Sequence, residues 1–406
     1  MTRSTIKTLL SGAGAAALLA GSSLFAGESA TPVVDEPDPI KPWTFSDLFD
    51  KKYFYKSEDG FIRGARFLGR YQGQWISNQE EIGGSVNNGY HEFQHRRFRL
   101  GFEVEMDYGL TFYIESNVAD VTNLTSDRFI NDHNDLYLEW EPNDDFLLRL
   151  GKQKQNFTLE DAESSKRIKT VERSAIVNET SQARPWGLVS EIQTGDFRHE
   201  VGGWLYGGHA SDPNWIDFQS NVGFSYNVYY SLSDSTTLHF DYVYADNAGG
   251  SSGSEGQAAV GFGPLYQHSF AIGAEFEKDK FQLISDIILA ANREGQSGQL
   301  GAASIQPGND TWGFYVLPSY DITDKLEVVG RYAYMAEGRE HHSQRWGSST
   351  RTTVEDYHTF YAGLQYFIFG EKLKLQGGYE YATGNLFGTD TDINNGTWQF
   401  GIRTYW

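Results

Sequence analysis

From Phe61 to the final residue, apolar and polar side chains alternate along most of the chain with a period of two. Between Arg96 and Met106 the apolar residues are Phe98, Leu100, Phe102, Val104 and Met106, and between them stand Arg97, Arg99, Gly101, Glu103 and Glu105. Successive side chains of a strand point to opposite faces, so this segment is a strand with one apolar and one charged face. Asp107-Tyr108-Gly109 reads as a tight turn, after which Leu110, Phe112 and Ile114 alternate with Thr111, Tyr113 and Glu115. The pair forms a hairpin with a single apolar side. The same pattern predicts strands near 61–77, 91–107, 109–119, 134–142, 145–154, 186–194, 197–206, 218–230, 236–245, 267–277, 280–292, 310–319, 325–337, 353–368, 371–382 and 396–406. That is about sixteen, and single-chain bacterial membrane barrels use even numbers.

The connections carry a second regularity. Short turns at 107–109, 142–144, 195–197, 233–235, 278–280, 321–324 and 369–371 alternate with longer segments at 78–90, 120–133, 155–185, 246–266, 293–309, 338–352 and 383–395. Short periplasmic turns and long external loops are the asymmetry of an outer-membrane barrel; a soluble sandwich or propeller does not alternate so regularly. The expected class is therefore all-β: a transmembrane antiparallel β-barrel of about sixteen strands. The last strand, with Trp398, Phe400, Ile402 and Trp406 on one face, resembles the C-terminal signal read by the barrel assembly machinery, which makes that machinery an expected partner through Trp406.

Composition removes an apparent objection. The mean hydropathy of −0.50 resembles that of a soluble protein, yet the chain holds 24 Tyr, 27 Phe and 10 Trp. Barrel strands need apolar residues only at alternate positions, so a low average coexists with a lipid-facing surface. At the N-terminus, Arg3 and Lys7 precede an apolar run from Leu9 to Leu24 and a small residue at Ala26, the pattern of a secretory signal. The expected organisation is a signal peptide over 1–26, a periplasmic lead-in over 27–58 with one or two helical turns, and the barrel over 59–406. No cysteine is present, which excludes disulfides, cysteine-based metal sites and a lipidated cysteine. The formal charge of −21, or −23 once Arg3 and Lys7 are removed (−21 − 2), argues against nucleic acid as a partner.

Beyond these patterns, HRRFRLGFEVEMDYGLTFYIESNVAD, NDLYLEWEP and FLLRLGKQKQNFTLEDAESSKRIKTVERSAIV followed by RPWGLVSEI resemble the phosphate-selective porin O and P family. The likeness is densest over 93–192 and includes the Glu172-Arg173-Ser174 triplet. It implies sixteen strands, a homotrimer, a third loop folded into each pore, and, in selective members, an arginine ladder and a lysine cluster. One departure is Asn156, where many relatives carry proline. Residence in the outer membrane of a Gram-negative-type bacterium, in contact with its lipid, is implied by the same reading.

If the apolar faces meet lipid, the opposite faces line the lumen. Its cationic candidates are Arg66, Arg70, Arg97, Arg99, Arg149, Arg331, Lys374 and Arg403; those on the first two and last two strands form one basic wall across the closing seam. Acidic candidates are Glu103, Glu105, Glu115, Glu139, Asp241, Glu275, Asp286, Glu327 and Glu380, and a basic wall facing acidic positions sets up a transverse field. The expected function is passive diffusion of small hydrophilic solutes, anions such as phosphate among them. The alternative is a barrel that anchors external loops for surface structure or adhesion without significant transport. Soluble-enzyme motifs of the GxSxG, HExxH and phosphate-loop kinds are missing, so no catalytic residue, metal site or cofactor is expected. His209, His341 and His342 fall in external loops and read as incidental.

The segment from Arg149 to Glu179 loses the strand period while mixing both charge signs. Roughly thirty irregular residues inside a compact architecture are uncommon unless functional. Ile168, Val171, Ile176 and Val177 supply apolar contacts that a solvated loop does not need. The segment is expected to fold into the lumen as a constriction, with Lys152, Lys154, Lys166, Arg167, Lys169 and Arg173 as its cations and Glu160, Asp161, Glu163 and Glu172 balancing them.

Overall fold

The computed structural model describes residues 53–118, 130–181, 184–206, 222–246, 266–293, 310–339 and 353–406. A short strand, β1 (Tyr53–Lys56), precedes sixteen long ones: β2 (Ile62–Ile82), β3 (Ser85–Met106), β4 (Leu110–Val118), β5 (Ile130–Asn143), β6 (Phe146–Lys152), β7 (Trp186–Thr194), β8 (Phe197–Leu205), β9 (Val222–Ser233), β10 (Thr236–Ala245), β11 (Tyr266–Lys278), β12 (Phe281–Arg293), β13 (Thr311–Thr323), β14 (Leu326–Arg339), β15 (Thr353–Phe367), β16 (Leu373–Leu386) and β17 (Asp392–Tyr405). Each of β2 to β17 pairs antiparallel with its neighbours in sequence, and β17 pairs with β2, so the sheet closes into a barrel. Trp406 completes the seam by exchanging backbone hydrogen bonds with Gly69 at 3.0 and 3.1 Å.

Alternation places the apolar set outside, as the pattern required. Phe67, Trp75, Phe93 and Phe102 on β2 and β3, Ile272 on β11, Ile287 and Leu289 on β12, and Trp398 and Phe400 on β17 are exposed on the outer surface. Closure satisfies the backbone polar groups of every spanning strand internally, the condition for crossing hydrocarbon without an edge.

Three sequence expectations change at the barrel's ends. The lead-in does not turn helical at residues 53–56; these form β1, paired with Gly64–Arg66 of β2. The segment 78–90 is no long loop, since β2 and β3 continue through it to a two-residue turn at Gly83-Gly84, with φ of 55° and 77°. Both turn residues sit in the left-handed region, as a type I′ hairpin demands and glycine permits. The segment 383–395 is likewise mostly strand, leaving a short connection between β16 and β17. The expected signal peptide, most of the lead-in, and His209, His341 and His342 lie outside the described residues.

A β-bulge interrupts the pairing of β2 with β3. On β3, Arg97 opposes Gln72 and His95 opposes Gly73, so Arg96 is the extra residue. An inserted residue re-aims side chains. Strict alternation from Phe98 puts Arg96 outside; the bulge turns it inward beside Arg97.

Candidate functional site

The chain leaves β6 through Gly151, whose φ of 144° and close approach to the Leu136 carbonyl leave no room for a Cβ. It then enters the lumen rather than the solvent. Gln153, Gln155, Phe157, Ile168, Val171, Ile176 and Val177 are almost fully buried, the burial expected of a loop packed inside the barrel. Two short helices form there, α1 (Leu159–Ala162) and α2 (Ala175–Thr180). Phe157, Ile176 and Val177 join an apolar cluster with Val243, Ile288, Leu317, Val329, Met335 and Tyr357 of the wall. An aqueous lumen has no use for these inward apolar wall residues; the loop is what they bind.

The wall's charges are spent largely on the loop. Arg331 is buried and donates to Glu160 at 2.8 Å, to the Glu172 carbonyl at 2.8 Å and to Glu380 at 2.6 Å. Glu160 also accepts from the Ser174 hydroxyl at 2.6 Å, which ties α1 to the start of α2. Arg403 donates to the carbonyls of Ser165, at 2.7 Å, and Val171. Lys374 reaches the Ile168 carbonyl at 3.2 Å and Glu371 at 2.7 Å, and Lys169 of the loop pairs with Glu327 at 2.5 Å. Arg331, Lys374 and Arg403 therefore lie beneath the loop and anchor it. Arg173 serves the loop itself, donating to the Glu160 and Glu163 carbonyls at 2.9 and 2.7 Å.

Asn156, where the resemblance led to an expectation of proline, is tied to the wall. Its side chain donates to Glu200 on β8 at 2.8 Å and its carbonyl accepts from Asn227 on β9 at 3.0 Å. The turn that a ring would stiffen is held here by two hydrogen bonds to the wall.

A different chemistry gathers on the side of β2 to β5. Arg70 donates to Glu115 at 3.0 Å and to the Ser165 hydroxyl at 2.7 Å, while Arg99 reaches Glu115 at 3.3 Å and Asn117 at 2.8 Å. Arg96 pairs with Glu172 at 2.6 Å, and Gln74 donates to the same carboxylate at 2.9 Å. Arg184, at the loop's return, pairs with Asp135. Arg97 donates to Gln72 at 2.8 Å, and Lys166 lies over the Tyr405 ring at 5.1 Å; among the described residues neither has a carboxylate within ion-pair distance. Arg70, Arg96, Arg97, Arg99, Lys166 and Arg184 thus outnumber Glu115, Asp135, Glu172 and Glu92, which accepts from Gln94 at 2.8 Å. The section carries net positive charge.

The loop's own titrating groups report this environment. Burial pushes the Lys166 ammonium down to about 8, with Arg70 adding to the shift and Glu115 opposing it. Burial likewise pushes Lys154 down to about 7, although Asp161 stands 3.5 Å away. Burial works against the Glu172 carboxylate, but Arg96 and Arg97 outweigh it and hold the group at about 2.

The remaining candidates are distributed around the wall. Arg66 pairs with Glu103, Arg149 with Glu139 at 2.5 Å, and the exposed Arg167 with Glu163 at 2.8 Å; Lys152 is buried at the end of β6. Local pairing replaces the expected confrontation of a basic wall with an acidic one. Asp241 and Asp286 face loop backbone, and Glu115, Glu327 and Glu380 are matched by adjacent cations. Sequence reading missed Arg96, hidden by the bulge, and Arg184, which lies just before β7.

A closed sixteen-strand barrel with an apolar exterior, a charged lumen and an inward loop is the architecture of an outer-membrane porin. A family profile described as phosphate-selective porin O and P matches residues 77–403, and the chain belongs to that family. No curated protein matches it by sequence. The outer-membrane channel DcaP of Acinetobacter baumannii is similar in fold, with a TM-score of 0.55 at 11% identity over 86% of this chain and 99% of that one. OmpF of Salmonella typhi, solved in complex with daunomycin, gives 0.55 at 13% identity over 84% and 98%. OprB of Pseudomonas putida gives 0.55 at 9% over 84% and 94%. Family and fold together place the protein in the Gram-negative outer membrane as a channel protein.

Proposed function

We propose that the protein is a passive-diffusion porin that prefers small anions, with phosphate a candidate solute. The observation that carries this reading is the excess of cations over carboxylates between β2–β5 and the loop, where Arg97 and Lys166 keep their charge unmatched. A permeating anion has to exchange hydration for a guanidinium fork or an ammonium and still leave. Arg97 supplies planar donors and Lys166 a compact point charge. Lys154, Arg149 and Arg167 are each matched by a carboxylate, Asp161, Glu139 and Glu163, so the excess is confined to this section.

The channel works as a homotrimer embedded in outer-membrane lipid. The barrel assembly machinery recognises its final strand through Trp406, and residues 1–26 are removed as a signal peptide. Cross-linking of the detergent-purified protein and N-terminal sequencing check the trimer and the cleavage. The function itself is tested in planar bilayers by adding inorganic phosphate to a chloride current. Concentration-dependent block is expected. An unaffected current would remove phosphate as solute, and a folded protein giving no channels would leave the surface-anchoring alternative.

A further inference from the structure

Behind the loop, on the wall opposite the cationic section, lies a buried cluster that the permeation reading does not use. His239 on β10 and Asp286 on β12 reach each other across β11, where the residue between them is Gly273. A Cβ at Gly273 would collide with both the Asp286 carboxylate and the His239 ring, so glycine opens the gap. The imidazole has no solvent exposure. Its Nδ1 stands 3.2 Å from Asp241, and its Nε2 is bonded to Asp286.

We propose that His239, Asp241 and Asp286 form a proton-dependent clasp, and that these positioning residues hold the first limb of the constriction loop and keep the pore in one open state. The proposal rests on the loop being the constriction. Three consecutive loop N–H groups end on this cluster: Thr158 on Asp241 at 2.7 Å, Leu159 on Asp286 at 2.9 Å, and Glu160 on the Tyr315 hydroxyl at 2.9 Å. The Tyr315 hydroxyl in turn donates to Asp286. Thr158 is held at φ 59°, a left-handed conformation unfavourable for a β-branched residue, which persists only where its surroundings over-determine it.

Charge makes the clasp depend on protons. Nε2 is hydrogen-bonded to Asp286, while Nδ1, 3.2 Å from Asp241, makes no hydrogen bond and meets that carboxylate by charge alone, an attraction only the imidazolium supplies. No arginine or lysine pairs with Asp241 or Asp286 among the described residues. The other groups facing the cluster are Tyr229, stacked on the His239 ring at 5.9 Å, with Arg198 over its far side at 4.2 Å; Asn227 opposite Asp241; and Glu200 beyond it on β8. Glu160 lies beside Tyr315, its charge taken by Arg331. The imidazolium is therefore the local counter-charge for two carboxylates. Acid protonates the carboxylates, which cancels their attraction to the imidazolium and weakens them as acceptors for Thr158 and Leu159; alkali removes the imidazolium and sets two like charges together. In both directions the loop limb is released.

Single channels recorded from acid to alkaline pH test this, with folding verified by heat-modifiable electrophoretic migration. The wild type is expected to be quiet at neutral pH, with open-channel noise rising several-fold as pH falls through the carboxylate range. Asp286→Asn and Asp241→Asn, which mimic the protonated acids, are expected to be noisy at neutral pH and to lack the acid transition. Tyr315→Phe keeps both charges but removes a donor to Asp286, so its transition should move to higher pH. Folded Asn variants with wild-type noise and transition overturn the clasp, as does a wild type without an acid transition; should the Asn variants not fold, an unmoved transition in Tyr315→Phe does so. Deleting residues 158–182 separates the two ideas. Unchanged conductance on deletion defeats the constriction itself, whereas increased conductance with silent Asn variants defeats only the clasp.

Discussion

Lys166 shows how much a single residue decides. Its ammonium faces a region where arginines already outnumber carboxylates, and burial brings its pKa down to about 8. The charged form is the one disfavoured, so the charge is present below about 8 and is lost as pH rises through that value. Anion preference is expected to fall between neutral pH and pH 9, read as a shift of the zero-current potential, and Lys166→Arg should abolish that step. Lys166→Glu should reduce anion preference at neutral pH by placing a carboxylate where an anion needs a cation. Glu172 behaves in the opposite sense: its depressed value of about 2 keeps its pairing with Arg96 intact until pH falls through that value. Arg97 and Arg99 were legible in the sequence because alternation put them opposite Phe98 and Leu100. Arg96 was not, since a bulge leaves no mark in a period-two pattern and shows only when its partner strand is paired.

At the scale of elements, the loop from β6 to β7 decides what the lumen offers a solute. Its departure from the strand period was visible, and Ile168, Val171, Ile176 and Val177 announced its burial. What could not be read was which wall residues receive it. Arg331, Lys374 and Arg403 have the same inward parity as true pore-lining cations, and only the path of the loop covers them. Arg331→Met should be strongly destabilising, on the order of 3–5 kcal/mol, because it strands Glu160 and Glu380 as buried carboxylates; a lowered temperature for the heat-modifiable transition checks this. Removing residues 158–182 is expected to raise single-channel conductance. The hairpin over 78–90 escaped sequence reading for another reason. Beyond the hydrocarbon no lipid enforces an apolar face, so Ser77, Asn78, Gln79, Glu80 and Glu81 of β2 are polar on both sides.

Over the whole molecule, the strand count and the closing seam followed from elementary constraints, since strands crossing lipid must alternate and a spanning sheet must close, whereas the alternation of short and long connections fails at 78–90 and 383–395. The formal charge of −21 gave no such guidance. It describes the entire chain, whereas the field at the constriction comes from a few residues of mixed sign whose pairing depends on the loop. Asp241 and Asp286 turn inward and yet face loop backbone rather than open lumen, and Glu115 is shared between Arg70 and Arg99. The proposal of an anion-preferring pore within an acidic protein rests on that local pairing rather than on the total charge. It is tested most directly by the zero-current potential across a potassium chloride gradient, measured at neutral pH with the purified protein in a planar bilayer. A potential of the sign set by chloride permeation is expected, and a potential of the sign set by potassium would refute an anion-preferring pore.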